Sequence, residues 1–241
     1  MTVLLEKGRY RARETDLPAD ILKAQTLRQC AFGCDEGDAL DARCRHILVE
    51  DVDNGDVLCC YRMLLLSGAA IENSYSAEFY DLSNLLGFSG KMVEMGRFCT
   101  HPDHTRDPDL LRLAWGAMTL FVDAHGVEML FGCSSFAGTN PEVYVESFAF
   151  LNARYKAPQA WMPKVRSPDV CCFDELAVCD VTPAKATRAL PPLLRTYLSM
   201  GGWVSDHAVI DTKMDTLHVF TGVEISTIPE ARKRLLRAVA G

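Results

Sequence analysis

Residues 91–126 read KMVEMGRFCTHPDHTRDPDLLRLAWGAMTLFVDAHG. Lys91 to Thr100 has the apolar pattern of a strand, and a polar loop follows it. Asp109 to His125 then carries Leu110, Leu111, Leu113, Trp115, Met118, Leu120, Phe121 and Val122 before Gly126 ends the helix. Apolar residues on nearly every side predict a buried helix. At ~1.5 to 3 kcal/mol per large apolar side chain, its gross burial is on the order of 10 to 20 kcal/mol before entropy is subtracted.

Working outward, Tyr10 to Glu14 alternates like a strand, and Ile21, Leu22, Ala24, Leu27, Ala31 and Phe32 follow Pro18 at helical spacing. His46 to Glu50 and Val57 to Leu66 are β-rich runs separated by Asp53-Asn54-Gly55-Asp56, and Asn-Gly predicts an antiparallel hairpin because both residues tolerate positive φ. A polar stretch, Ser67 to Asn84, leads into the opening segment. Beyond that segment come an expected strand at Val127 to Cys133 and a helix at Pro141 to Leu151 with an aromatic face of Tyr144, Phe148 and Phe150. Ala157 to Pro192 reads as irregular and Leu193 to Met200 as a short helix. Trp203 to Val223 reads as two strands, and Pro229 to Ala240 as a basic amphipathic helix. No repeat or linker divides the chain, so 1–241 is expected to be one domain of α/β (α+β) type.

Of the 241 residues 49% are hydrophobic, enough for a substantial core, and 25 Lys plus Arg against 32 Asp plus Glu give a net charge of -7. That balance argues against nucleic acid as a partner. The N-terminus has no signal-peptide pattern and no run approaches the roughly 18 apolar residues of a membrane span, so a cytoplasmic protein is expected. Ten cysteines lie at irregular spacing, with adjacent pairs at Cys59/Cys60 and Cys171/Cys172, which favours reduced thiols over a disulfide scaffold. Cys30, Cys34, Cys44 and His46 are the nearest approach to a metal set, and their spacing matches no usual zinc framework; no metal site is expected.

Chemistry-bearing residues recur along the first half: Arg28 in the first helix, Asp38 and Asp41 three apart, Arg62 on the hairpin, then Glu94-Met95-Gly96-Arg97-Phe98 followed by His101-Pro102. In this combination the chain resembles the N-acyltransferases that begin ornithine-lipid synthesis, and more distantly acyl-homoserine-lactone synthases. The resemblance runs from about Tyr10 to Phe220. It includes Gly132-Cys133-Ser134-Ser135-Phe136 and the run from Pro191 to Leu198. It implies the GNAT acyltransferase fold, a central mixed, mostly antiparallel sheet flanked by helices. It also implies an acyl-carrier-protein thioester, through its phosphopantetheine arm, as donor substrate, with no tightly bound cofactor and a small amino-acid acceptor. The leading expectation is Nα-acylation of L-ornithine by a long 3-hydroxyacyl group, giving a lyso-ornithine lipid. The alternatives are another acceptor such as glutamine, acyl-homoserine-lactone synthesis, or a non-catalytic lipid- or carrier-binding module.

The residues fit such chemistry. An attacking amine must be neutral, whereas a free α-amino group has a pKa of about 7.7 to 8.0, so a base helps. Glu94, with Arg97, is the catalytic candidate; an ion pair between Glu94 and Arg97 or Arg62 is the structural alternative. Asp38, Asp41, Arg62 and Arg28 are the acceptor-binding candidates, by carboxylate pairing to a cationic substrate, by bidentate Arg bonds, or by positioning one another. Cys99 and Thr100 are donor-binding candidates through their backbone N–H groups, should the strand bulge there. Cys99 and Cys133 lack an activating signature for nucleophilic catalysis. The loop before the main helix holds one Arg, no glycine and three carboxylates, which argues against a nucleotide pyrophosphate and leaves Arg106 for the single phosphate of a pantetheine arm. In the polar late segment, Asp206, His207, Asp211 and Asp215, His207 is a candidate second base, and His218 stands where the family pattern has Asp. The C-terminal stretch holds Arg232, Lys233, Arg234 and Arg237 against Glu230, expected to meet the acidic carrier protein or, peripherally, an anionic inner membrane face.

Overall fold

A computed structural model describes residues 2–33, 37–176 and 181–240; Cys34 of the weighed metal set lies outside them. In chain order the elements are β1 (Thr2–Lys7), β2 (Tyr10–Thr15), α1 (Pro18–Phe32), β3 (Arg45–Asp51), β4 (Val57–Ser67), β5 (Tyr80–Asp81), β6 (Lys91–Thr100), α2 (Pro108–His125) and β7 (Val127–Ala137). They continue with α3 (Val145–Arg154), β8 (Lys164–Val165), β9 (Val170–Cys172), α4 (Pro183–Ala189), α5 (Pro192–Ser199), β10 (Trp203–Val204), β11 (His207–Asp211), β12 (Thr216–Glu224) and α6 (Glu230–Ala240). Five elements were not anticipated: β1, the short β5 inside the stretch read as polar, and β8, β9 and α4 inside the stretch read as irregular. The region read as two late strands holds three, and the expected 141–151 helix begins as a 3-10 turn before α3.

The described residues group into two compact units, one of 1–65, 93–127 and 229–241, the other of 66–92 and 128–228. In the first, β1, β2, β3 and β4 pair antiparallel in sequence, joined through the Asn54-Gly55 turn, where Gly55 has φ 76°. Strand β6 lies beside β4. His101 N–H donates to Leu58 O at 2.8 Å, the sulfurs of Cys60 and Cys99 lie 3.5 Å apart, and Tyr61 stacks on Phe98 at 5.5 Å. These contacts step in opposite directions along the two strands, so the pair is antiparallel.

Because side chains alternate across a strand, this pair presents two unlike faces. One receives α2: Tyr61 OH donates to Ala114 O at 2.8 Å. Helix α2 starts with Asp107 as N-cap and Pro108 at its first position, and stops at Gly126 in the left-handed conformation. Its buried residues include Leu110, Leu113, Ala117, Phe121 and Val122. The other face receives α1, where Ala24 and Leu27 pack with Leu48, Cys60 and Cys99. Helix α6 lies against α2: a Cβ on Gly116 would stand 3.1 Å from Val239 Cγ1, and Arg237 pairs with Asp123 at 3.2 Å.

In the second unit β7 pairs antiparallel with β12 from Thr216↔Ala137 to Glu224↔Met129; β12 also pairs with β11 and β10, and β11 with β9. Phe136, Leu217 and Val219 pack with Phe148, Leu151, Leu190, Leu194 and Leu198 from α3, α5 and the α4 end. A second cluster joins Phe131, Val209 and Phe220 to Ile71, Tyr80, Leu82 and Leu85, so the stretch read as polar seals a core.

Candidate active site

A straight strand would send Glu94 and Arg97 to opposite faces, since they are three residues apart. The structure resolves this within β6. Arg97 has φ 56°, a left-handed conformation rare for a residue with a side chain, and the alternation changes phase there. A Cβ on Gly96 would stand 3.5 Å from Arg62 Nε, Arg97 Nη2 lies 3.4 Å from Asp38 Oδ2, and Cys99 meets Cys60. Gly96, Arg97 and Cys99 therefore share the α1 face, and Glu94, two residues before Gly96, joins them. Glu94 is buried at 5% exposure, close enough to Cys44 for its charge to act on that thiol.

The charged partners come from α1, the loop after it and β4. Helix α1 ends at Gly33, φ 78°, and the chain returns through Asp38 and Asp41. Arg28 grips Asp41 with two bonds, Nη1 to Oδ1 at 2.8 Å and Nη2 to Oδ2 at 2.6 Å. Arg62 Nη1 also reaches Asp41 Oδ1 at 2.8 Å, and its two terminal nitrogens hold Asp38 at 2.6 and 2.8 Å. Gln25, one turn before Arg28, donates to Asp41 Oδ2 at 3.0 Å, and His46 Nε2 lies 2.9 Å from the Asp41 carbonyl. Burial alone would raise the Asp41 pKa, but the bonds from Arg28, Gln25 and Arg62 outweigh it and hold the carboxyl far below its usual range. Asp38 is lowered too: burial works against the shift, and Arg62 and then Arg97 win. The Asp38 side chain keeps 30% exposure against 5% for Asp41. Asp41 is thus committed to protein partners, and Asp38 and Arg97 form the open end of the network.

Cys99 is buried and Thr100 half-buried on β6 past the bulge. Arg106 is exposed on the loop before α2. At that helix start Asp107 Oδ1 accepts from the N–H groups of Asp109 and Leu110 at 3.0 and 3.1 Å, and Tyr10 OH donates to Oδ2 at 2.5 Å. Burial and this carboxylate push the Tyr10 phenol up to about 12. The donor groups that would greet an anion are engaged by the chain's own carboxylate. Cys44 is buried with its thiol pushed up to about 12, chiefly by burial. Among the described residues no set of three or more metal-ligating groups forms.

His207, His218, Asp206, Asp211 and Cys133 belong to the second unit. His207 Nδ1 lies 2.8 Å from Asp206, and His218 Nδ1 lies 3.1 Å from Tyr80 OH. Asp215 forms the turn between β11 and β12 with φ 50°. Sequence reasoning missed Gln25, His46 and the Tyr10–Asp107 bond. Gln25 was within reach, since residues three apart on a helix share a face; the other two depend on pairing between distant segments.

Residues 23–115 match the model of the acetyltransferase (GNAT) domain. The L-ornithine N(alpha)-acyltransferase of Rhodobacter capsulatus is 31% identical over 206 residues, which cover 82% of this chain and 78% of that protein. The enzyme of the same name from Rhizobium meliloti is 31% identical over 215 residues, covering 86% and 72%. Among solved structures, the loading GNATL domain of CurA from Lyngbya majuscula superposes with a TM-score of 0.50 at 11% identity, covering 91% of this chain and 99% of that one, a likeness of fold alone.

Proposed function

The chain belongs to the family of L-ornithine N(alpha)-acyltransferases, and we propose that it moves a long 3-hydroxyacyl group from an acyl-carrier-protein thioester to the α-amine of L-ornithine, opening ornithine-lipid synthesis. It is an acyltransferase with the GNAT fold, a mixed, mostly antiparallel sheet flanked by helices. The observation that carries the reading is the bulge at Arg97, which gathers Glu94, Gly96 and Arg97 on the face that holds Arg62 and Asp38.

In this reading Glu94 takes a proton from the α-ammonium, directly or through water. The freed nitrogen attacks the thioester carbonyl, and the tetrahedral intermediate expels the pantetheine thiolate, which recovers a proton. Arg97 receives the acceptor carboxylate and Asp38 the distal ammonium. Arg62 holds Asp38 in place, and Asp41 and Arg28 hold Arg62. The backbone N–H of Thr100, which lies off the rungs paired with β4, faces the oxyanion, and Arg106 meets the pantetheine phosphate. The self-capped start of α2 supports a donor with a single phosphate over a nucleotide diphosphate. We read 1–241 as a single catalytic domain with no tightly bound cofactor. No described helix is long and apolar enough to cross a membrane. We place the protein in the cytoplasm, with the basic face of α6, Arg232 and Arg234 exposed on it, turned to the carrier protein or the inner membrane face.

The test is acyl transfer by purified protein with 3-hydroxyacyl carrier protein, read by mass spectrometry. The kcat/KM for ornithine should exceed that for glutamine by at least ~10²-fold, because glutamine brings no distal ammonium to the exposed part of the Asp38 carboxylate. Equal or higher activity on glutamine would sink the ornithine assignment and leave the acyltransferase class standing. Equal rates with the coenzyme A thioester would remove the carrier-protein assignment.

A further inference from the structure

The thiols of Cys60 and Cys99 are not used in the chemistry above, yet they occupy its scaffold. They face each other across β4 and β6 with 3.5 Å between sulfurs, each two residues from a guanidinium of the site, Arg62 and Arg97. The His101 N–H to Leu58 O bond makes that rung a hydrogen-bonded one, and the cysteine rung two residues on repeats the type. Opposed residues on such rungs stand about 5.5 Å apart at Cα, within the span a disulfide bridges. Closing the sulfurs to a bond of about 2.05 Å asks each side chain to move by less than an ångström.

We propose that Cys60 and Cys99 are an oxidation site whose reversible disulfide shuts off acyl transfer, with hydrogen peroxide as the oxidant. One thiolate attacks peroxide and becomes a sulfenic acid as the O–O bond breaks and the first water leaves. The partner sulfur then displaces the sulfenic oxygen, forming the S–S bond and the second water. The two sulfurs give up two electrons in total, and both thiol protons end in water. The bond pulls on β6 two residues from Arg97, where the bulge sets the direction of Glu94. It also draws Cys60 from the Ala24 carbonyl, 3.7 Å away under α1, the helix that carries Arg28. The contact with Cys99, and then burial, hold the Cys60 thiol well above its ordinary value, while the Arg28 charge works the other way. The reaction is accordingly slow at neutral pH and quickens as pH rises.

The experiment treats the purified full chain with hydrogen peroxide, follows acyl transfer, and maps peptides without reduction. A linked Cys60–Cys99 peptide pair, lighter by about 2 Da than the free thiols, should appear as activity falls at least ~10-fold, and dithiothreitol should reverse both. Cys60→Ala should keep its activity in reducing buffer and lose the response to peroxide. Inactivation without the linked pair, a linked pair with full activity, or a Cys60→Ala protein inactivated as fast as the parent each overturns the proposal. Were the ornithine reading wrong, the protein would be inactive on ornithine before oxidation, and the peptide map would still decide whether this pair is the oxidation site.

Discussion

Around Asp41 two guanidiniums and an amide converge on one buried carboxylate, whereas around Tyr80 two imidazoles are buried against aromatic rings. His218 meets the Tyr80 phenol through Nδ1 and the edge of Phe79, and its Nε2 has no hydrogen-bond partner among the described residues. The first region keeps ionisable groups charged by matching each with an opposite charge. The second keeps His218 neutral by burying it without an ion-pair partner among the described residues. A matched charge can be aimed at a substrate, because it stays charged across the working pH range. A neutral imidazole in an apolar shell contributes packing, and its stability depends on pH.

Removing one partner from the matched region should have the largest effect. Asp41→Asn leaves Arg28, at 1% exposure, without its counter-charge, and breaking such a buried pair costs about 3 to 5 kcal/mol. Asp38→Asn should cost less, since Asp38 is partly exposed and Arg62 keeps Asp41. Urea unfolding of both variants measures the difference. Equal losses would mean that Asp41 is no more of a keystone than Asp38.

How much of this was legible in the sequence follows from which contacts are local. The opening segment declared its strand, its helix and the Gly126 stop, because periodicity and caps act within a few residues. The acid and base residues were visible as a set, but their convergence was not. It depends on a positive φ at Arg97, and an arginine advertises no such conformation. Asp41 read as a substrate contact because sequence cannot show that Arg28, Arg62 and Gln25 already occupy both its oxygens. Strand β1, exposed at both ends and only half-buried at Leu4 and Leu5, gave little apolar signal. Helix α4 lay between prolines in a run that looked irregular. Tyr80 and His218 are 138 residues apart, so the second core had no local signature at all.

Glu94→Gln separates the charge that chemistry needs from the charges that the fold needs. It keeps the shape of the side chain and removes the base, so turnover should fall by about 10² or more, roughly 2.7 kcal/mol in the barrier. The melting temperature should shift by no more than a few degrees, in contrast to Asp41→Asn. Near-normal turnover would take Glu94 out of the mechanism and return it to the ion-pair network.

The smallest effect expected is the pH response of the neutral region. Burial first, and then the neighbouring His207, push His218 down from 6.5 to about 4, against the pull of Asp211. Between those values the unfolded chain binds a proton that the folded chain refuses, so stability rises with pH there. The contribution is complete above about 6.5 and is lost as pH falls toward 4, on the order of 2 kcal/mol between pH 7 and pH 5. Asp41 and Asp38 lie below their ordinary range and keep their charge through this window. His46, lowered chiefly by burial, adds a slope of the same sign, so the informative quantity is the difference between parent and variant. His218→Gln should flatten the stability profile between pH 7 and pH 5 while leaving the profile above pH 7 parallel to the parent. An unchanged slope would mean that His218 exchanges protons freely in the folded state, and the contrast between the two regions would fail at its neutral end.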